Sequence, residues 1–247
     1  TSYSPNISGN GRFVVFASRS SDLVPGDTNQ ADDVFLFDRT SNSLRILSVG
    51  IGGTPANNNS IPGSLTDDGR YCVFTSSASN LISNDTNGSD DVFICDTESG
   101  ALTRISVGSS GQQAANGAQG GIITGDGKTV VFSSVSTNLV PNDTGFFGDT
   151  FVKNRVTGAI SRVSISPTGA QGNGSSSSGY LDYSGRYLVF TSMASNLVPV
   201  DTNQNEDVFV RDLLLGQTTI VSATQTGGQG TRSTSATLCG DGRFVTF

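Results

Sequence analysis

Gly69-Arg70-Tyr71-Cys72-Val73-Phe74 occurs five times in this chain with modest change. Its counterparts are Gly11-Arg12-Phe13-Val14-Val15-Phe16, Gly127-Lys128-Thr129-Val130-Val131-Phe132, Gly185-Arg186-Tyr187-Leu188-Val189-Phe190 and Gly242-Arg243-Phe244-Val245-Thr246-Phe247. Successive copies stand 58, 58, 58 and 57 residues apart. A fixed period of that size marks a solenoid, a propeller or an array of domains, and the content of one period discriminates between them.

Each period holds four short runs rich in β-branched and aromatic residues, separated by turn clusters, with no helical periodicity of useful length. In the second period, Ser64-Leu65-Thr66 ends a first strand and Asp67-Asp68-Gly69 makes a hairpin turn. Arg70 to Ser76 is a second strand, followed by a long polar loop to Asp90. Asp91 to Asp96 is a third strand, and Glu98-Ser99-Gly100 turns into a fourth over Leu102 to Val107. Four antiparallel strands, repeated, make the blade of a β-propeller. A β-helix needs shorter coils, and a separate four-stranded domain of this size could not bury both faces. The expected fold is therefore all-β. It has four full blades, approximately 1–58, 59–116, 117–174 and 175–232, plus the start of a fifth at 233–247.

Composition agrees. Leu, Ile, Val and Phe make up about a quarter of the 247 residues and only 14% are charged, which places the chain among packed globular proteins. Thirty-one Gly, 36 Ser and 26 Thr favour turns over helices. A net charge of -7 with two Lys argues against nucleic acid. No run approaches the 18 or so apolar residues that span a membrane as a helix. There is no His, so His-based hydrolysis and the commonest transition-metal ligand are excluded. Cys72, Cys95 and Cys239 lack zinc-type spacing. Cys72 and Cys95 fall on adjacent strands of one blade, either as inert thiols or as a disulfide, and Cys239 reads as a small inert residue.

The Gly-Arg-Tyr/Phe-x-Val-Phe strand, the Ser195-Asn196-Leu197-Val198-Pro199 and Asp201-Thr202-Asn203 loop, and the Arg104-Ile105-Ser106-Val107 strand resemble the PD40, or TolB-like (WD40-like), repeats of bacterial envelope and secreted proteins. The resemblance covers the whole chain and is specific for fold. It implies a β-propeller placed outside the cytoplasm: extracellular, on the cell surface or periplasmic. The family includes translocation scaffolds and propellers attached to peptidases, and none of their functional residues maps onto a particular position here.

The loops between second and third strands concentrate acid. Asp27-Thr28-Asn29-Gln30-Ala31-Asp32-Asp33, Asp85 to Asp91, Asp143 to Asp149 and Asp201 to Asp207 carry eleven of the 21 acidic residues. Asp, Asn at +2 and Asp at +6 match positions 1, 3 and 7 of a calcium loop. Hard oxygen donors without His or Cys select Ca²⁺ over a transition metal. The expected ligands are Asp27, Asn29 and Asp33; Asp85, Asn87 and Asp91; and Asp201, Asn203 and Asp207. The third loop has lost the Asn and one acid, and should bind poorly or not at all. The competing reading needs no metal: Asp and Asn cap turns through their own backbone, with Arg as the counter-charge.

Arg12, Arg70, Lys128, Arg186 and Arg243 recur at one position and are expected to tie blade to blade. Arg45, Arg104 and Arg162 read as solvated charges on the outer edge. Phe146 and Phe147 interrupt the third loop, either filling the place of a lost ion or forming an exposed anchor for a partner.

The expected function is non-catalytic: a secreted or cell-surface scaffold for binding or assembly, stabilised by calcium if the loops hold it. An active site is usually a single constellation, whereas these polar clusters recur in nearly every blade. Rivals are a fibre subunit, and a carboxylate-based glycan-cleaving enzyme or a propeller domain attached to an enzyme. Among inner strands only Asp182 offers an extra acid for catalysis. The partner is expected to be protein or glycan. The fifth unit stops at Phe247 before its third and fourth strands, so the chain is expected to be part of a longer propeller. The alternative is completion by another copy in head-to-tail association.

Overall fold

A computed structural model describes residues 1–224, 228, 230 and 233–247. Blade one comprises β1 (Ser2–Ile7), β2 (Phe13–Ser18), β3 (Asp33–Asp38) and β4 (Ser43–Ile46). Blade two comprises β5 (Ser60–Leu65), β6 (Tyr71–Ser76), β7 (Asp91–Asp96) and β8 (Leu102–Arg104). Blade three is β9 (Gln119–Ile123), β10 (Thr129–Ser134), β11 (Asp149–Asn154) and β12 (Ile160–Arg162). Blade four is β13 (Tyr180–Leu181), β14 (Tyr187–Ser192), β15 (Asp207–Asp212) and β16 (Gln217–Ile220). A two-stranded sheet, β17 (Thr237–Leu238) with β18 (Val245–Thr246), opens a fifth unit. Each full blade is a four-stranded antiparallel meander in chain order.

The second strand of each blade is apolar on both sides because both sides are covered. Side chains alternate along a strand, so Cys72 and Phe74 face blade one while Val73 faces blade three. Val15, Val34 and Leu36 accordingly cluster with Leu65, Cys72, Phe74 and Phe93. Val73, Val92 and Ile94 cluster with Ile123, Phe132 and Phe151, and Val131 and Val163 with Leu188, Phe190 and Phe209. The core is thus a series of slabs between blades. Within each blade the two phenylalanines stack across the second and third strands, as Phe74 and Phe93 do at 5.7 Å between ring centres.

The inner-strand residues behave according to the blade that precedes them. Leu65 and Ile123 are buried, Leu181 and Leu238 half-buried, and Ile7 is 53% exposed. Ile7 and the half-buried Phe16 occupy the face that blades two to four press against the blade before them. Elsewhere the inner strands converge closely. A Cβ on Gly63 would lie 1.8 Å from the Gly121 carbonyl oxygen, so only glycine fits there. Gly69, at φ 75°, closes the turn before β6, and a side chain there would strike the Phe13 ring of blade one. Cys72 and Cys95 are register partners, both fully buried and both free thiols. Burial raises the Cys95 thiol to about 11.

Candidate functional site

The four acidic loops enter β3, β7, β11 and β15 through Asp33, Asp91, Asp149 and Asp207, all buried. Each of these carboxylates accepts a hydrogen bond of 2.5–2.6 Å from a serine just beyond the fourth strand: Ser48, Ser106, Ser164 and Ser222. Each serine oxygen in turn accepts the amide of the residue after the aspartate, at 3.1–3.2 Å. This relay closes every blade at its outer corner. Burial is the main force raising the carboxyl pKa of Asp33, Asp91 and Asp149, and it takes Asp91 to about 6.

The asparagines take the capping role. Asn29, Asn87 and Asn203 accept backbone amides two residues on, from Ala31, Ser89 and Asn205, at 2.8–3.1 Å. Their amide nitrogens donate to the carbonyls of Ala56, Ala114 and Gly230 in the segment leading to the next blade, at 2.7–2.8 Å. Asn29 and Asn87 also donate to Asp33 and Asp91. The carboxamide oxygen that the calcium-loop spacing nominates as a ligand is therefore engaged by the loop's own backbone. Gly145 replaces this asparagine in the third loop, where Gln171 donates to both Asp143 and Asp149, at 3.1 and 2.9 Å.

The counter-charge differs between blades. In blade two the buried Arg104 guanidinium lies 3.2 Å from Asp85 and 3.4 Å from Asp91. These are ion-pair distances whose angles fall short of hydrogen bonds. Arg104 also donates to Gln113. In blade three Arg162 stands 3.1 Å from Asp143 and 3.3 Å from Asp149. The second acidic loop, expected to hold calcium on Asp85, Asn87 and Asp91, thus has arginine between its two aspartates.

Arg104 and Arg162 are not the solvated edge charges expected from sequence; their side chains are 6% and 8% exposed. Arg45 is their neighbour in pattern only. Counting back by 58 from Arg104 reaches Ile46, and Arg45 lies one residue earlier, on the opposite face of its strand. Arg45 is exposed and reaches the Thr97 carbonyl of blade two. The strict period therefore held the signal for the buried arginines, and for Gln113 and Gln171, which sequence grouping by residue type missed. The same count gives Ile220 in blade four and Pro55 in place of Gln113 in blade one.

Three of the five other recurrent cations join strands within a blade, correcting the expectation of blade-to-blade ties. Arg12, Arg70 and Arg186 pair with Asp38, Asp96 and Asp212 at 2.6–2.8 Å, because each precedes the second strand opposite the end of the third. These contacts hold the three carboxyls below the usual range, Asp212 at about 2. Lys128 pairs with Asp126 in its own turn. Asp182, the extra inner-strand acid, is buried and accepts the Arg186 and Tyr187 amides, both at 2.8 Å. Ser8, Thr66, Thr124 and Cys239 accept the corresponding amide in the other units. Asp182 is a turn cap.

Phe146 is 91% exposed and Phe147 47%. Neither fills the acid pair's surroundings, which Arg162 and Gln171 occupy. Gly148, next along the chain, lines a cavity of about 660 Å³ spanning blades two to four. Its wall carries Ser133, Ser134 and Ser175 to Ser177, with Asp90 and Glu206 at its sides. A second cavity of about 400 Å³ lies among the inner strands, against Pro62, Gly120 and Ser178. Among the described residues, no three His, Cys, Asp or Glu side chains gather in a metal-binding group, and no helix is long and apolar enough to cross a membrane.

No family model and no curated protein sequence matches the chain. Solved structures do. TolB from Acinetobacter baumannii superposes over 99% of this chain with a TM-score of 0.56 at 16% identity. The match takes in 48% of that protein, so this chain spans about half its length. A putative TolB from Agrobacterium tumefaciens aligns over 89% of this chain and 80% of its own, with a TM-score of 0.54 and 13% identity. The β-propeller domain of the Trilobed protease from Pyrococcus furiosus, described as having an open velcro topology, aligns over 96% of this chain and 60% of its own, with a TM-score of 0.56 and 12% identity. The fold is a TolB-like β-propeller.

Proposed function

We propose that this propeller is a binding domain that holds a protein partner at the serine-lined cavity and performs no covalent chemistry, in an extracellular, cell-surface or periplasmic setting. The observation that carries the reading is the serine-lined cavity, whose lining residue Gly148 directly follows Phe146 and Phe147 in the chain. It offers hydroxyls and two carboxylates, Asp90 and Glu206, and the loop that borders it carries an exposed aromatic pair, a combination suited to an extended segment with a cationic side chain. Most of the recurrent acids elsewhere are committed to turns, serine relays and arginine pairs, Asp27 being an exception, which supports binding over catalysis. A propeller domain serving a larger enzyme is the second reading, favoured by the likeness to the Trilobed protease domain.

The test is an array of extended cationic, neutral and anionic peptides probed with the purified chain, alongside turnover assays on peptide and glycan panels. Saturable binding to cationic peptides, weakened in Asp90→Asn and in Phe146→Ala, is the expected result. Turnover of any substrate abolished by Asp182→Asn, or binding indifferent to both substitutions, would overturn it.

A further inference from the structure

We propose that the first acidic loop binds one calcium ion between Asp27 and Asp33, in the position that an arginine guanidinium takes in blades two and three. The inference does not depend on the identity of the partner.

Asp27 is 5% exposed, and neither of its carboxylate oxygens has a hydrogen-bond partner. Its charge acts on Asp33, whose carboxyl pKa is raised first by burial and then further by Asp27. A buried carboxylate without donors is strongly disfavoured unless a cation sits beside it. Blades two and three supply that cation from their own fourth strands, with Arg104 against Asp85 and Asp91 and Arg162 against Asp143 and Asp149. Blade three adds an amide donor as well, since Gln171 reaches both of its acids, whereas Gln113 of blade two accepts from Arg104 and donates to Thr86.

Blade one keeps both aspartates and replaces both neutralising residues, with Ile46 at the arginine position and Pro55 at the glutamine position. The equivalence of Pro55 and Gln113 is structural too, because each forms the same isolated bridge, to Val49 and Val107. Neither isoleucine nor proline can donate to a carboxylate. Nearby, Arg19 is engaged with Asp32 at 3.2 Å, and Arg45 points to Thr97 of blade two.

The donor set defines the ion. Asp27 offers two unused oxygens. Asp33 accepts one bond on each oxygen, from Ser48 and Asn29, and each carboxylate oxygen has a further lone pair. All are hard oxygen donors, which favours Ca²⁺ with its flexible geometry over Mg²⁺ or a transition ion. Water completes the shell, reaching the ion past Gly26 and Thr28, the exposed neighbours of Asp27. Two carboxylates and solvent place the dissociation constant at about 10⁻⁵–10⁻³ M, the range between sensors and extracellular modules.

Calcium binding to the full chain, stripped with EDTA and dialysed, is measured by equilibrium dialysis and calorimetry for wild type, Asp27→Asn and Ile46→Arg. Each variant is expected to bind one equivalent fewer than wild type. Each should also melt at a higher temperature than wild type in EDTA, because neither leaves a buried acid pair without a counter-charge. Asp27→Asn is nearly isosteric and decides the matter alone if Ile46→Arg does not fold. Wild type that binds no calcium, or equal equivalents in wild type and Asp27→Asn, overturns the proposal. Asp27→Asn melting no higher than wild type in EDTA also overturns it, by showing that the acid pair needs no counter-charge.

Discussion

Arg104→Met should destabilise the protein by about 3–5 kcal/mol at neutral pH, the usual cost of leaving a buried charge uncompensated. Arg104 faces Asp85 and Asp91 at 3.2 and 3.4 Å with all three side chains buried. At an effective dielectric of about 20, each contact is worth about 5 kcal/mol of Coulomb attraction. Release of the guanidinium from a desolvated site offsets part of that sum, which leaves the lower figure. The pH dependence has a definite sign. Asp91 already titrates near 6 in the folded protein, above the value of about 3.9 in an unfolded chain, and loss of Arg104 moves it higher. The native state of the variant therefore holds protons that the unfolded state releases. The contribution of Asp91 to its stability is greatest below about pH 4 and is lost as the pH rises through the folded pKa. Urea denaturation followed by far-ultraviolet circular dichroism at pH 4.5, 6 and 8 measures this, with Arg45→Met as control. That exposed arginine, one residue out of register with Arg104, should cost less than about 0.5 kcal/mol. A loss under about 1 kcal/mol for Arg104→Met, an equal loss at pH 4.5 and 8, or an equal loss in the control would refute the reasoning.

Phe74→Ala should cost about 3–5 kcal/mol, since the ring is fully buried against blade one, whereas Phe16→Ala at the equivalent site of the second strand in blade one, where the ring is half-buried, should cost roughly half as much; equal urea midpoints for the two variants would contradict the slab-like core. Asp91 in the wild type should titrate near 6 in carboxyl-carbon NMR, against near 4 for an unburied group. Asp182→Ala should lower stability by about 1–3 kcal/mol by orphaning the Arg186 and Tyr187 amides, a loss that Asp182→Ser largely restores because serine fills this role at Ser8. Phe146→Ala should leave the melting temperature within about 1 °C of wild type, as expected for a surface substitution.

The propeller was legible from the sequence because its evidence is periodic. The Gly-Arg-Tyr/Phe strand, the Asp-Val-Phe strand and the acidic loop recur at 58 residues, and side-chain alternation assigns their faces without reference to distant contacts. The third strand of blade two, Asp91–Asp96, forms as the pattern specifies. What the sequence left open was the partner of each polar group. Arg45 and Arg104 look alike in one dimension, yet a single residue of register puts one in solvent and the other inside an acid pair. Arg70 could reach another blade or its own, and only the pairing of β6 with β7 puts it beside Asp96. Asn29 has the spacing of a metal ligand, but the folded loop turns its oxygen to the Ala31 amide. Hydrophobic position is fixed by local periodicity, whereas a hydrogen bond or ion pair is fixed by where two separate segments meet. That meeting is a property of tertiary structure, and it leaves Asp27 buried and without a donor in blade one.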